Sequence, residues 1–128
     1  MEITAVLDAS VVVAMLLEEP GGASAEHFIG SAAISTVNYS EVVARLADRG
    51  ASPELAAAQI GKLALMSLAF DEKTALLTGA LRSMTRSAGL SLGDCACLAT
   101  ARRYGVPAVT ADRAWAELGV GVHIELIR

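Results

Sequence analysis

Five short apolar runs, at residues 3–7, 32–36, 67–70, 107–110 and 123–127, alternate along this chain with stretches of helical character. Such alternation leaves few folds open. Strands joined through helices lie parallel, and a parallel sheet needs helices on both of its faces. The helical stretches are read at residues 10–19, 23–29, 38–49, 53–65, 72–87, 93–104 and 113–118. Punctuation supports these bounds. Pro20-Gly21-Gly22 breaks the first helix and Gly50 stops the third. Ser52-Pro53-Glu54 supplies a cap, a first-turn proline and a first-turn acid for the fourth. The expectation is one α/β domain built on a parallel sheet.

At 128 residues the chain suits a single domain with a real core. Hydrophobic residues make up 54% and aromatics only 4%, so Ala, Val, Leu and Ile must fill that core. Ten basic residues stand against 14 acidic ones, a net charge of −4, which argues against a generic polyanion binder. Eight of the ten cations are Arg, whose forked donors suit phosphate. Cys95 and Cys97 lie two apart on a helix and point in different directions, so they should not bond to each other. His27 and His123 are far from any Cys motif, which disfavours zinc. The glycines form neither a dinucleotide fingerprint nor a P-loop. Glu2 and Asp8 replace the basic flank of a signal peptide, and the longest apolar run, 11–17, is too short for a bilayer. The expectation is a soluble cytoplasmic protein with no membrane partner.

The acids carry the chemistry. Asp8 ends the first apolar run, Asp112 follows the fourth, Asp94 opens the helix at 93–104, and Glu41 falls in the first turn after the second run. Open α/β sheets bind ligands outside the carboxyl ends of their strands, where these four converge. Carboxylates gathered there repel one another unless a cation joins them. Each acid also has a plainer reading. Asp8 and Asp112 could cap the helices they precede. Asn38 with Glu41, and Ser91 with Asp94, have the spacing of a capping box. Caps alone need only Ser, Thr or Asn, so four acids at one edge favour a magnesium-type site. Asp8 and Asp94 are the expected direct metal ligands, with Asp112 and Glu41 completing or orienting the shell. Ser10 and Thr110 are placed to orient a carboxylate or a bound water. Asp71 is read as a helix cap near the sheet's far edge.

Arg82 and Arg86 lie one turn apart, Arg45 one turn beyond Glu41, and Arg113 next to Asp112. Solvated helix faces and a Glu41–Arg45 ion pair would account for them. A rim of cations around an acidic pit would instead hold a phosphodiester backbone, with Arg86 and Arg113 the preferred substrate contacts. No aromatic platform for stacked bases is visible.

Leu7-Asp8-Ala9-Ser10, Asn38-Tyr39-Ser40-Glu41-Val42, the stretch from Gly89 through Ser91-Leu92-Gly93-Asp94 to Ala99, and Val109-Thr110-Ala111-Asp112-Arg113 together resemble a PIN-domain protein of the VapC toxin type. The resemblance covers essentially the whole chain. It implies a three-layer α/β/α sandwich around a parallel five-stranded sheet of order 3-2-1-4-5. It maps the family's catalytic acidic quartet onto Asp8, Glu41, Asp94 and Asp112. It further implies magnesium- or manganese-dependent endoribonuclease activity on RNA, leaving 5′-phosphate and 3′-hydroxyl ends. Homodimerisation and inhibition by a cognate antitoxin protein belong to the same expectation. Apolar surface at residues 11–17 and 55–66 would suit such interfaces, or could be buried internally.

Two other classes were weighed. A phosphoacceptor signalling domain also uses an acidic magnesium pocket, but needs a Lys after the fifth strand, where this chain has Arg128. A non-catalytic RNA- or protein-binding module could keep the fold without the chemistry.

Overall fold

The computed structural model describes residues 2–128. Five parallel strands, β1 (Val6–Leu7), β2 (Ala33–Ser35), β3 (Met66–Leu68), β4 (Ala108–Thr110) and β5 (Ile124–Leu126), form one sheet of order β3-β2-β1-β4-β5. Five α-helices connect them: α1 (Ala9–Leu16), α2 (Thr36–Asp48), α3 (Pro53–Gly61), α4 (Glu72–Thr85) and α5 (Leu92–Tyr104). The expected α/β/α sandwich and its strand order are both present.

Side-chain alternation decides which helix covers which face. Val6 pairs with Ala33 on one side and Ala108 on the other. These three point into a core with Leu81 of α4 and Cys95, Leu98 and Ala99 of α5. Their neighbours Leu7, Ile34 and Val109 point the opposite way, into a core with Val11, Val12 and Val13 of α1, Leu46 of α2 and Ile60 of α3. Strands buried on both faces need no polar residue in alternation, so the strand runs read as continuously apolar.

The elements are shorter than the apolar runs suggested, and each shortening has a local cause. Helix α1 ends at Leu16 rather than 19, because Glu18 takes a left-handed conformation (φ 55°) that lets the Glu19 N–H reach Ala14 O at 2.9 Å. Helix α3 ends at Gly61 rather than 65, tightening into i→i+3 bonds from Lys62, Leu63 and Ala64. Residues 23–28 and 113–115 form 3₁₀ turns where short helices were expected. Helix α2 starts earlier, at Thr36, because β2 runs straight into it. Ser35 is its cap and accepts a bond from the Val37 N–H at 3.2 Å.

Helix α1 is buried on nearly all sides: Val11, Val12, Val13 and Ala14 are at most 1% exposed. Four of the seven residues at 11–17 are therefore internal core. Among the described residues no helix is long and apolar enough to cross a membrane.

Ile34 of β2 is fully buried, whereas Leu76 of α4 is 78% exposed. Ile34→Ala should lower unfolding stability by roughly 2–5 kcal/mol. Leu76→Ala should stay within about 0.5 kcal/mol of the parent, as a surface change does. Urea denaturation of the two variants checks the burial assignment.

Candidate active site

The carboxyl end of β1, the first turns of α1 and α5 and one face of α2 meet at a pocket of about 350 Å³ lined by Asp8, Ser10, Glu41, Arg45, Asp48 and Asp94, among others. Three of the four expected acids are therefore gathered here from elements far apart in sequence. Asp112 is not among the lining residues, and its side chain is exposed. It is joined to the site through Thr110, whose hydroxyl oxygen accepts the Asp112 N–H at 3.1 Å.

Asp8 sits at the N-cap position of α1 but makes no capping bond, which corrects its plainer reading. Its Oδ2 instead accepts the Ser10 hydroxyl at 2.7 Å and the Thr110 hydroxyl at 3.0 Å. Ser10 Oγ in turn accepts the Ala111 N–H at 3.0 Å. One carboxylate thus ties the end of β1 to the end of β4. Asp8 is only 5% exposed. That burial, first of all, pushes its carboxyl from 3.8 up to about 6, and the neighbouring charges of Asp94 and Glu41 push further while the two hydroxyls pull back.

Asp94 forms the expected capping box with Ser91. Its own N–H donates to Ser91 Oγ at 3.1 Å, and its Oδ2 accepts the Ser91 N–H at 2.9 Å. Capping and site membership are therefore not alternatives for this residue, because the cap uses one carboxylate oxygen. The box expected at Asn38 and Glu41 is not formed, since Ser35 already caps α2 and Asn38 lies within its first turn. Asn38 instead donates its side-chain amide to Glu41 Oε1 at 2.7 Å. Asp112 does act as a cap, accepting the Ala114 N–H at 2.9 Å. Asp71 likewise caps α4 through the Thr74 N–H at 2.8 Å. That bond, the Thr74 hydroxyl and Arg103 hold the Asp71 carboxyl down at about 2.

Each of the three pocket acids has one oxygen engaged by a donor. Among the described residues, Asp8 Oδ1, Glu41 Oε2 and Asp94 Oδ1 accept no hydrogen bond. Three oriented, half-free, mutually repelling carboxylates are a donor set for a hard divalent cation. Among the described residues no three His, Cys, Asp or Glu side chains are close enough to enclose an ion unaided. The reach of the cluster shows at Cys97, one turn into α5. Burial, then the charges of Asp8, Asp94 and Glu41, push its thiol well above the ordinary value.

The PIN domain profile matches residues 5–121. The chain belongs to the PIN-domain family. Solved structures similar to this PIN domain include a toxin–antitoxin complex from Klebsiella pneumoniae, with a TM-score of 0.76, 17% identity and 98% of each chain covered. DNA-bound VapBC from Salmonella typhimurium also has a TM-score of 0.76, with 21% identity over 98% of this chain and 99% of the other. A member of the VapBC family of toxin–antitoxin systems from Mycobacterium tuberculosis has a TM-score of 0.59 and 24% identity, covering 98% of each chain. At these identities the likeness is one of fold. No curated protein matches the chain at a significant level.

The cations of this PIN domain are distributed differently from expectation. Arg86 and Arg113 are exposed and do not line the pocket, whereas Arg45 does. Arg45 pairs with Glu19 at 3.5 Å, not with Glu41. Sequence reasoning missed Asp48 as a pocket residue, although Glu41, Arg45 and Asp48 share one face of α2 at the i, i+4, i+7 spacing. His27 and His123 lie outside the pocket.

Asp8 has a carboxyl raised from 3.8 to about 6, so its native state favours the protonated form. The stability this confers is complete below the unfolded value and is lost as pH rises through the folded one. In chelator, Asp8→Asn should gain roughly 2 kcal/mol on the parent between pH 4 and pH 7.5. Urea denaturation at both pH values measures the difference; an equal gap at both would remove the assigned cause.

Proposed function

We propose that this PIN domain is a magnesium- or manganese-dependent endoribonuclease, the toxin of a type II toxin–antitoxin pair. The observation that carries the reading is the trio of Asp8, Glu41 and Asp94, each fixed through one oxygen and free at the other, in one pocket at the carboxyl ends of a PIN-fold sheet. Held by Asp8, Glu41 and Asp94, a divalent ion would supply Lewis-acid charge for a phosphodiester and a water of lowered pKa.

The residues divide the remaining work. Asp8 and Asp94 are the proposed direct ligands, with Glu41 and Asp112 completing or orienting the shell. Ser10 and Thr110 hold Asp8 in one rotamer, so its free oxygen keeps a single direction. Burial keeps the Asp8 carboxylate poorly solvated, which strengthens its demand for a cation. Arg45 at the pocket wall, with Arg86 and Arg113 farther out, would meet the backbone phosphates of RNA.

The antitoxin partner is proposed from the company the fold keeps in toxin–antitoxin complexes and from a second feature of the surface. A groove of about 260 Å³ runs between the ends of α1 and α2 and the flank of α3, lined by Leu16, Leu17, Leu46 and the half-exposed Leu55. Helices α1 and α2 also contribute to the acidic pocket. An apolar segment of an antitoxin seated there would lie beside the site it silences. A homodimer and a cytoplasmic location complete the proposal.

Purified protein should cleave RNA with Mg²⁺ or Mn²⁺ and stop in chelator, and Asp8→Asn or Asp94→Asn should abolish cleavage while thermal unfolding stays cooperative. Ser10→Ala and Thr110→Val should each lose roughly 10–100-fold. Cleavage that survives in both aspartate variants, or that ignores chelator, rejects the assignment.

A further inference from the structure

We infer that Asn38 and Gly93 are positioning residues that aim the Glu41 carboxylate into the acidic pocket, with Asn38 orienting one oxygen and Gly93 leaving room for the other. The inference rests on the metal-site reading of Asp8, Glu41 and Asp94 given above. Asn38 is fully buried. Its Nδ2 donates to Glu41 Oε1 at 2.7 Å on its own helix and to the carbonyl of Gly93 on α5 at 3.0 Å. Both contacts are to acceptors, so only the nitrogen can face them and the amide has a single orientation. Asn38 therefore ties the acid of α2 to the turn of α5 that carries the next acid, Asp94.

Two local rules are broken at this spot, and both breaches fall on the same carboxylate. Asn38 Oδ1 is buried and has no hydrogen-bond partner among the described residues. A core position normally avoids an unsatisfied acceptor, because the group loses its water and gains nothing. Gly93 is the second residue of α5, where alanine would form the helix at least as well and glycine adds chain entropy. A Cβ at Gly93 would stand 2.5 Å from Glu41 Oε2 and 2.9 Å from Glu41 Cδ. Glu41 can occupy its place only because residue 93 lacks a side chain. Local compromises that converge on one functional group mark where function overrode stability.

A merely structural brace between α2 and α5 would make a different prediction for Gly93→Ala. The atoms a methyl group would strike are the far end of a flexible side chain, so the fold can absorb the change by turning Glu41 aside. Gly93→Ala should therefore unfold no more easily than the parent while weakening Mn²⁺ binding, read by calorimetry, and RNA cleavage by roughly 10–100-fold. Glu41→Gln should lose a similar amount, and the double variant should lose no more than Glu41→Gln alone, since both changes act through one carboxylate. Gly93→Ala that binds Mn²⁺ and cleaves RNA like the parent overturns the inference, as do losses that multiply in the double variant.

The clamp can also be read without metal or RNA. The Asn38 side-chain amide protons should exchange slowly in metal-free protein, and their resonances should move in Gly93→Ala. Unmoved resonances overturn the inference whether or not the chain cleaves RNA. A parent that neither binds Mn²⁺ nor cleaves, yet whose Asn38 amide shifts as expected, would fell the nuclease reading and leave the clamp standing.

Discussion

A carboxylate that has lost most of its water must find compensation nearby, and Asp8 finds only half of it. Ser10 and Thr110 satisfy one oxygen, and the rest of the charge faces Asp94 and Glu41 across a shared pocket. The whole architecture serves this arrangement. Parallel strands put the end of β1 beside those of β2 and β4, and the helices that follow bring their first turns to the same edge. The hydroxyl of Thr110 then links Asp8 to the backbone of Asp112 on the far side of the same junction. Carboxylates gathered at such an edge repel one another, and that repulsion is the basis of the metal-site proposal.

The acids are not held alike, and their differences follow from the elements that carry them. Asp8 leaves a central strand and is deeply buried, so its side chain is positioned by tertiary partners from β4. Asp94 opens a helix and is positioned locally, by the cap it shares with Ser91. Glu41 lies within a helix with no orphan N–H near it, so it depends on Asn38 beside it and on the space at Gly93. One site thus combines a strand-end carboxylate, a capping carboxylate and a buttressed one. Capping still leaves Asp94 an oxygen for the pocket, because a carboxylate has two oxygens and the cap uses one.

Much of the fold was legible because it rests on patterns repeated along the chain. Apolar runs at five positions, punctuated by Pro and Gly, placed five strands and their helices in the right order. Boundaries slipped where a backbone conformation decided them. The left-handed Glu18 ends α1, and Ser35 caps α2 so that it starts at Thr36, two residues before Asn38. Asn38 is the instructive case. At the sequence level it looked like a cap, since Asn and a Glu three residues on have that spacing. The true cap was hidden in the last residue of β2, and Asn38 was released to a tertiary role that no local pattern encodes. Arg45 shows the same limit: the i+4 rule paired it with Glu41, whereas the turn after α1 offered Glu19.

Residue order along the chain determined the class of fold, the family and the acids, because strand and helix periodicity and the Asp-containing motifs are local properties that survive without coordinates. Tertiary structure decided which acids share a pocket, which of their oxygens stay free, and that Asn38 and Gly93 together shape the place of Glu41. Those facts depend on angles between elements up to about a hundred residues apart, such as Ser10 against Thr110. Distances of that kind are set by how two apolar faces pack on a sheet, and packing is written in no single stretch of the sequence.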